Sequence, residues 1–386
     1  MLNYPIKNTF VDNQISICRG DSMKKFEELF EDDTKNVQRV ASNEYLENGN
    51  IAIVDQGKKL VVGYTDNENY KICKEKRIIF GDHTRIFKYV DIPFITGADG
   101  TKVLKLIDSK NNDYKYFYYY LQHSYIPNTG YNRHYKWVKE LMFNVPGLEE
   151  QKEIAKKLDM VQEIINTKQN QLDELDNLIK SQFVEMFGDP EKNEKNWGVG
   201  LIRDLISDIK YGTSRPAVEN GRYKYLRMNN ITYEGKLDLT DIKYIDVPEN
   251  EIEKCVAKRG DILFNRTNSR DLVGKTCVYN NDESMIIAGF VIRARVNKKA
   301  NPYFISEYMN TKYMKNKLKS MCKNACGQSN INSNEFQNIR IYIPPIELQN
   351  QFAYFVEHID KLEFELKKSL EETQNLFDSL MAEYFE

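Results

Sequence analysis

The six residues 265–270 form the densest run of side chains in this sequence that suit contacts with bases and phosphates. They read Asn-Arg-Thr-Asn-Ser-Arg. Arginine can bond guanine through two N–H groups, asparagine can do the same for adenine, and hydroxyl side chains reach phosphates. Asn, Ser and Thr also favour turns, so a plain polar turn is the structural alternative. The composition of the run leaves both interpretations open.

The elements around this run are predicted to be strands. Residues 259–279, RGDILFNRTNSRDLVGKTCVY, read as a buried strand, a polar loop and a second strand. Residues 223–239, YKYLRMNNITYEGKLDL, read as strand, turn and strand. A loop carried on a rigid sheet is a common place for binding residues. The pattern therefore predicts that the polar run is a loop carried on a sheet, either a contact loop or a plain turn.

An internal repeat with an offset of 198 residues organises the chain. The segment VPGLEEQKEIAKKLDMV begins at Val145, and IPPIELQNQFAYFVEHI begins at Ile343. The identical pairs at the start of each copy are Pro146 and Pro344, Glu149 and Glu347, Gln151 and Gln349, and Ala155 and Ala353. A repeat of this size indicates two equivalent structural units.

Both copies are predicted to be long helices that pack on each other in an antiparallel pair. Apolar residues recur at alternating three- and four-residue steps, which is the heptad pattern of a coiled coil. In the first copy they are Ile154, Leu158, Val161, Ile165, Leu172, Leu175 and Ile179, with a break at Lys168. Two separate amphipathic helices, each packed on its own domain, are the alternative. A helix over 149–187 would span at most ~58 Å and could set a distance.

The repeat also covers the segments between the helices. RIIFGDHTR at 77–85 parallels GDILFNRTN at 260–268, and Ile17, Gly20 and Ser22 parallel Ile209, Gly212 and Ser214. We predict an α+β protein with two globular α/β domains in a pseudo-twofold repeat, joined by two long antiparallel helices. The predicted domains are 1–147 and 188–345, and the predicted helices are 148–187 and 346–386. Twofold molecules suit DNA sites made of two half-sites.

The net charge of −2 argues at first sight against DNA binding. Its distribution is uneven: residues 188–343 carry 26 Lys and Arg against 19 Asp and Glu, whereas residues 347–386 carry 3 against 10. Residues 1–146 carry 21 against 19, so the first domain is barely basic. Local charge matters for phosphate contact more than the total. We therefore expect weak DNA binding by the chain alone, unless partners add basic surface.

Several classes of enzyme lack their motifs here. The chain has no Asn/Asp-Pro-Pro-Tyr/Phe site of an adenine methyltransferase and no GxxxxGK[ST] phosphate loop. Asp189-Pro190-Glu191-Lys192 lies in a predicted linker without flanking strands, so we do not expect a nuclease centre there. The six cysteines and four histidines show no zinc-finger spacing, and we expect free thiols and no metal. No secretory signal or run of 18 apolar residues is present, so we expect a cytoplasmic protein.

The second domain resembles a target-recognition domain of the specificity subunit of type I restriction–modification systems, the HsdS family. The motifs are LRMNNI (226–231), GDILFNRTNS (260–269), LVGKT (272–276), AGFVIRARV (288–296) and IPPIELQ (343–349). In the first domain, IIFGDHTRIFKYVDIPFITGADG (78–100), RHYK (133–136) and the Pro-x-x-Glu-x-Gln helix start resemble a second variety of that domain. The resemblance extends over nearly the whole chain.

The resemblance implies a non-catalytic DNA-reading subunit. Each domain would read one part of a split double-stranded DNA sequence, and the helices would set the gap and dock two modification (methyltransferase) subunits. Restriction or translocase subunits would complete the complex, with S-adenosylmethionine, ATP and Mg on partner subunits. The alternatives are the specificity subunit of a type II system with a fused nuclease–methyltransferase, and a scaffold or anti-restriction protein of the same fold.

The resemblance also implies a set of DNA-contact residues in each domain. His83 and His134, both in the first domain, could equally have structural roles. In the second domain the set is Ser214, Arg215, Arg227, Asn229, Asn230, Asn265, Arg266, Thr267, Asn268, Ser269, Arg270 and Lys275. In the first domain it is His83, Thr84, Arg85, Lys88, Arg133, His134 and Lys136.

Overall fold

The computed structural model describes residues 23–322 and 329–386 and divides the chain into two compact units. Unit 1 comprises the chain up to Thr167 together with Leu370–Glu386, and unit 2 comprises Lys168–Ser369. The predicted parallel of Ile17, Gly20 and Ser22 lies outside the described residues, as do Cys18 and Cys326. Cys73, Cys255, Cys277 and Cys322 are free thiols.

In the part of unit 1 that the structure describes, nine short strands and three short α-helices precede the first long helix. The strands are β1 (Lys24–Lys25), β2 (Phe30–Asp32), β3 (Ile51–Val54), β4 (Gly63–Thr65), β5 (Arg77–Gly81), β6 (Phe87–Val90), β7 (Phe94–Thr96), β8 (Thr101–Leu106) and β9 (Met142–Phe143). The helices are α1 (Phe26–Leu29), α2 (Tyr114–His123), α3 (Tyr135–Val138) and the long α4 (Leu148–Phe187).

Two sheets carry unit 1. Strands β2-β8-β5-β6 form an antiparallel sheet, in which β5 is buried along its length. Strands β4-β3-β7 form a mixed sheet in which β3 and β7 run parallel. Helix α2 begins where the Asp113 side chain accepts N–H bonds from Lys115 and Tyr116, which satisfies two of the donors that a helix start leaves open. Its apolar face packs with the antiparallel sheet in one core.

Among the described residues of unit 2, twelve short strands and four short α-helices precede the second long helix. The strands are β10 (Val199–Leu201), β11 (Ile206–Tyr211), β12 (Tyr223–Leu226), β13 (Lys243–Ile245), β14 (Val256–Ala257), β15 (Ile262–Asn265), β16 (Thr267–Asn268), β17 (Thr276–Val278), β18 (Met285–Ile287), β19 (Val291–Val296), β20 (Ser329–Asn330) and β21 (Arg340–Tyr342). The helices are α5 (Glu249–Cys255), α6 (Pro302–Asn310), α7 (Lys312–Met321), α8 (Ser333–Gln337) and the long α9 (Ile346–Phe385).

Unit 2 repeats the sheet plan of unit 1. Its antiparallel sheet has the order β11-β19-β15-β17, which matches β2-β8-β5-β6 strand for strand. Its mixed sheet, β13-β12-β18-β14, contains a parallel pair, β12 and β18, as the sheet in unit 1 contains β3 and β7. Strand β5 therefore corresponds to β15, as the sequence parallel of 77–85 with 260–268 predicts.

The long helices pack antiparallel within each unit. In unit 2 the end of α4 contacts the start of α9, with the rings of Phe187 and Phe352 at 5.5 Å. In unit 1 the start of α4 contacts the end of α9, with Lys157 Nζ 6.0 Å from the Tyr384 ring. Lys168, the predicted break in the seam, donates a hydrogen bond to Ser369 Oγ at 2.7 Å. The predicted α+β fold with paired antiparallel helices is confirmed.

Each long helix is fixed to its domain by the glutamine of the repeated motif. Gln151 is buried, and its Nε2 donates to the Pro146 carbonyl at 2.8 Å while its Oε1 accepts from the Asp113 backbone N–H at 2.8 Å. Gln349 makes the same two bonds, to the Pro344 carbonyl at 2.8 Å and from the Asn301 N–H at 2.9 Å. The Pro-x-x-Glu-x-Gln pattern thus ties the start of each long helix to the N-cap residue of α2 or α6.

Candidate nucleic-acid interface

The polar run 265–270 lies at the end of β15 and is held in a defined shape. Asn265 is buried, its Nδ2 donates to the carbonyls of Thr267 and Phe290 at 3.3 Å, and its Oδ1 accepts from Asn268 Nδ2 at 3.1 Å. A buried amide is stable only when its polar atoms are bonded. Asn265 therefore shapes the loop, and we do not keep it among the proposed DNA contacts.

A second strand pair braces the same loop. Thr267 and Asn268, which form β16, pair with Asn330 and Ser329 of β20. The Thr267 hydroxyl donates to Asn330 Oδ1 at 3.1 Å, and the Ile331 N–H donates to the Arg266 carbonyl at 2.9 Å. A polar turn needs no such bracing from residues about sixty positions away. The strand pairing and these bonds hold the backbone of the loop at 266–268 in place.

Arg266 is oriented by an aromatic ring that the sequence analysis did not select. Its guanidinium carbon lies 4.8 Å from the centre of the Tyr211 ring. The Tyr211 hydroxyl donates to Ser333 Oγ at 2.9 Å and accepts from the Ser333 N–H at 2.8 Å. A cation over an aromatic face gains about 0.5–2 kcal/mol and loses freedom of rotation. Tyr211 is the last residue of β11 and directly precedes Gly212. This position before a glycine is the only feature of the sequence that marks Tyr211.

The exposed part of this surface combines donors with one large apolar side chain. Ser269, Arg270, Asn229 and Ser214 are exposed. Phe290 is 51% exposed, and its carbonyl accepts the Arg266 N–H at 2.9 Å. Phenylalanine suits the thymine methyl group. Phe290 could not be identified from the sequence, because an apolar residue between Gly289 and β19 gives no sign of being exposed.

Two predicted contact residues of unit 2 are buried and support the fold. Lys275 Nζ donates to the Met228 carbonyl at 2.7 Å, and burial lowers the pKa of Lys275. Asn230 accepts from the Arg227 N–H at 2.8 Å and donates to the Asp238 carbonyl at 2.8 Å. These bonds place the 227–230 segment beside the loop at 265–275. We do not keep Lys275 or Asn230 as proposed contacts.

Two arginines of this unit are paired with carboxylates. Arg215 bonds Glu251 through two nitrogens, at 2.7 and 3.2 Å, and these hydrogen bonds raise its pKa. Arg227 bonds Asp241 at 2.7 Å. Arg215 is exposed and Arg227 is half-buried. Either guanidinium can bind a phosphate only if it first releases its carboxylate partner. Loss of that ion pair offsets part of the free energy gained from the phosphate contact.

In unit 1 an aromatic ring of the loop after β5 stacks on a ring of the segment before α3. The rings of His83 and Tyr131 lie 4.9 Å apart and 9° from parallel, and His83 Nδ1 lies 3.2 Å from the Asn132 carbonyl oxygen. Tyr131 is 91% exposed and was not selected from the sequence. Arg133 is exposed and pairs with Asp99 at 3.2 Å, as does Arg39 at 2.7 Å. The pair and Arg133 form one exposed surface of rings and donors.

The other predicted DNA-contact residues of unit 1 differ in how exposed their side chains are. Thr84 and Lys136 are exposed; the Thr84 hydroxyl donates to the Gln56 carbonyl at 2.6 Å, and Lys136 Nζ lies 4.9 Å from the Trp137 ring. Arg85 adopts a φ of 62°, which turns the chain sharply, and its Nη1 donates to the Ile126 carbonyl at 3.1 Å. Thr84, Arg85 and Lys136 remain candidate DNA contacts, although part of the Arg85 side chain is used in its hydrogen bond to Ile126.

Lys88 and His134 are buried. Lys88 Nζ donates to the Asp55 carbonyl at 2.7 Å, and burial lowers the pKa of Lys88. The His134 backbone N–H donates to Asp82 Oδ1 at 2.7 Å, and its ring Nδ1 lies 2.9 Å from the Asp82 carbonyl oxygen. These contacts favour the structural role that the sequence left open for His134. Neither residue stays among the proposed contacts.

The surfaces of the two units offer hydrogen-bond donors, amides and aromatic faces. Within residues 23–322 and 329–386, no group of three or more His, Cys, Asp or Glu side chains could hold a metal ion. In the same ranges no helix is long and apolar enough to cross a membrane. The chemistry of the exposed loops suits recognition of a polyanion with readable edges.

Comparison with known proteins assigns the family. The model of the type I restriction modification DNA specificity domain matches residues 21–177 and 195–373. The chain therefore belongs to the family of type I restriction–modification specificity subunits. The two matched stretches each take in one globular segment and at least part of the long helix that follows it.

Two curated relatives illustrate the range of similarity. A putative type I restriction enzyme MjaX specificity subunit from Methanocaldococcus jannaschii is 28% identical over 195 residues, which is 50% of this chain and 46% of that protein. The type I restriction enzyme EcoKI specificity subunit from Escherichia coli is 23% identical over 261 residues, 62% of this chain and 56% of that protein. The matches span about half of the length of these relatives.

Solved structures share the fold over nearly the whole chain. The S subunit of a type I restriction–modification system from M. genitalium superposes with a TM-score of 0.59 at 16% identity, covering 95% of this chain and 97% of that one. A chain from a study of complex assembly and conformational transition of the type I R-M system superposes with a TM-score of 0.52 at 18% identity, covering 96% and 99%. The likeness is one of fold.

Proposed function

We propose that this chain is the DNA sequence-specificity subunit of a type I restriction–modification complex. The globular segments 1–147 and 188–345 act as two target-recognition domains, and each reads one half of a bipartite site. The observation that carries the proposal is the repeated placement of a polar loop after the same strand, β5 or β15, of the same sheet order. Two equivalent readers in one chain suit a target with two separate parts.

The proposed DNA contacts are the exposed and half-exposed candidates of each surface. Arg266, Asn268 and Phe290 would contact base edges, whereas Ser269, Arg270, Thr267, Ser214 and Asn229 would contact phosphates or bases. In unit 1, Tyr131 and His83 offer a stacking face, and Arg133, Thr84, Arg85 and Lys136 offer donors. Arg215 and Arg227 would contact DNA only if DNA displaces their carboxylate partners, Glu251 and Asp241.

The long helices are the proposed docking surface for two modification subunits. In unit 1, Met160 and Ile164, one turn apart on α4, are 57% and 46% exposed. In unit 2, Tyr354 and Phe364 of α9 are 75% and 72% exposed. Large exposed apolar side chains on a helix are a common mark of a protein–protein interface. The chain itself is proposed to be non-catalytic, with S-adenosylmethionine, ATP and Mg on the partner subunits.

The test combines this chain with its modification subunit and measures methyl transfer to DNA. We expect the chain alone to show no S-adenosylmethionine-dependent activity, and the complex to methylate a split sequence with a fixed gap. Methylome sequencing of cells carrying both genes identifies the two half-sites. Methylation by the chain alone, or methylation of a continuous site, would contradict the proposal. A type II system would instead require a single partner chain that both methylates and cleaves.

A further inference from the structure

Lys236 links a recognition domain to both long helices within unit 2. It lies in the turn between Ile231 and Leu237, and its Nζ forms ion pairs with Asp176 of α4 and Glu363 of α9. Glu363 is only 7% exposed, and it also pairs with Lys367 at 2.6 Å. One lysine therefore joins three elements that are distant in sequence.

The ion pairs of Lys236 and Glu363 offset the free-energy cost of burying their charges. Burial by itself would lower the pKa of Lys236, but the hydrogen bonds to Asp176 and Glu363 outweigh it and the pKa is raised. For Glu363, burial would raise the pKa, but the bonds from Lys236 and Lys367 lower it. The shifted pKa values of Lys236 and Glu363 both favour the charged form of the group. A buried charge is tolerated only with such partners, and it favours one arrangement over others.

The turn that carries Lys236 is itself rigid. The Thr232 N–H donates to the Lys236 carbonyl at 2.9 Å, and the Lys236 N–H donates to the Thr232 hydroxyl at 3.1 Å. Gly235 has a φ of +91°, and a Cβ there would collide with the side chain of Asn310. Lys315 of α7 holds the turn from the other side, with Nζ 3.8 Å from the Tyr233 ring centre. A displacement of Lys236 would therefore move the whole turn.

The turn connects directly to the proposed DNA-contact segment. Residues 227–230 precede it. Lys275 bonds that segment to the loop at 265–275, and Asn230 bonds it to the Asp238 carbonyl just after the turn. A cavity of about 300 Å³ lies beside the ion pairs, lined in part by Glu234, Glu307, Asp360 and Lys180. Side chains do not fill this space. Next to the cavity, the turn is therefore held against the two long helices by the ion pairs of Lys236.

We propose that Lys236 is a positioning residue that fixes the direction of the second recognition domain against both long helices, and so sets how strictly the gap between half-sites is read. This inference rests on the proposed function. Lys236 is not one of the proposed DNA contacts. It acts through the turn and the 227–230 segment, and its loss should affect the tolerated gap more than the preferred bases.

The test uses the complete complex with its modification subunits and three sets of DNA duplexes. One set carries both half-sites with the correct gap, one has the gap changed by a single base pair, and one has a base changed in the half-site of the second domain. Lys236→Met should reduce discrimination against the wrong gap on the order of tenfold, because a displacement of about 1 Å can cost up to about 100-fold in rate. Discrimination against the wrong base should change little.

Matched variants separate positioning from loss of stability. Lys236→Arg keeps the charge and should keep the wild-type gap preference. The triple variant Lys236→Met, Asp176→Asn, Glu363→Gln removes the buried unpaired charges, so it should fold well and still lose gap discrimination. Lys258→Met removes an exposed lysine that pairs with Glu253 in the same unit and should behave as wild type.

Two outcomes would overturn the inference. Unchanged gap discrimination in a folded Lys236→Met or triple variant would show that Lys236 does not position the domain. Equal loss of base and gap discrimination would show a general structural role. A wild-type complex that methylates no gapped site would instead reject the proposed function, so the two failures are distinguishable.

Discussion

The side chain of Gln151 accepts a hydrogen bond from the backbone N–H of Asp113 at 2.8 Å, and Gln349 accepts one from Asn301 in the same way at 2.9 Å. Asp113 and Asn301 are the residues that cap α2 and α6. One amide thus links the starts of two helices in each unit. The two glutamines are equivalent positions of the sequence repeat, so the sequence repeat is also a repeat of specific contacts.

Replacement of Gln151 by alanine should destabilise the protein by about 1–3 kcal/mol, because it leaves a buried N–H without its partner. Gln349→Ala should have a similar effect. Gln171→Ala, at an exposed position of α4, is the matched control and should stay within about 0.5 kcal/mol of wild type. Chemical denaturation measures all three. Equal stabilities for Gln151→Ala and Gln171→Ala would contradict the role given to this amide.

Arg266→Ala and Asn268→Ala should each lower methylation at the half-site read by the second domain, and leave the other half-site unaffected. A base contact is worth about 1–3 kcal/mol, which corresponds to roughly 5- to 150-fold in affinity. Arg259→Ala, which removes an exposed arginine paired with Asp282, is the control. Methylation rates on duplexes with single base changes provide the measurement. A uniform loss over all duplexes would point to phosphate contact instead.

Tyr211 should act on base specificity through Arg266. Tyr211→Phe keeps the ring under the guanidinium and should retain most of the base preference, whereas Tyr211→Leu removes the cation–π contact, worth about 0.5–2 kcal/mol, and should relax it. The preference of each variant at the base affected by Arg266→Ala is the quantity to measure. In an Arg266→Ala background, Tyr211→Leu should have no further effect on that base. An additive effect would mean that Tyr211 contacts DNA itself.

Glu307 should make the stability of the protein depend on pH between about 5 and 8. Burial raises the pKa of Glu307 from 4.5 to about 7, so the folded state binds its proton more tightly than the unfolded state. Stability from this group is complete below pH 4.5 and is lost as the pH rises through 7. Relative to wild type, Glu307→Gln should therefore gain about 1–3 kcal/mol between pH 5 and pH 8.

Denaturation at the two pH values measures the effect, and Glu174→Gln, an exposed acid of α4, is the control for a general loss of negative charge. A stability difference between wild type and Glu307→Gln that does not change with pH would contradict the shifted pKa.

The exposed surface of α9 at Tyr354 and Phe364 in unit 2 should be required for association with the modification subunit and not for folding. Phe364→Ser and Tyr354→Ser remove side chains that are 72% and 75% exposed, so the melting temperature of the chain should change little. Association with the modification subunit should weaken, since exposed aromatic residues are frequent anchors of interfaces. Tyr125→Ser, at an 81% exposed position of unit 1, is the control. Unchanged affinity in titration calorimetry for Phe364→Ser and Tyr354→Ser would argue against this docking surface.

The sequence by itself determined the plan of the molecule. Heptad spacing from Ile154 to Ile179 requires a long helix with one apolar stripe, and the 198-residue repeat requires a second copy of it. The parallel between 77–85 and 260–268 identified the equivalent strands, β5 and β15. These features depend on local periodicity and on self-similarity, which a single chain displays without its tertiary contacts.

Only the tertiary structure decided which polar residues are exposed. His134 bonds to Asp82, 52 positions away, and Lys88 bonds to Asp55, 33 positions away, so both are used inside the fold. Arg266 is oriented by Tyr211, and Lys236 is paired with acids of two different helices. The burial of a polar side chain depends on partners brought together by the fold. Residue type and spacing carry no record of those partners, and for that reason the contact surface could not be read from the sequence alone.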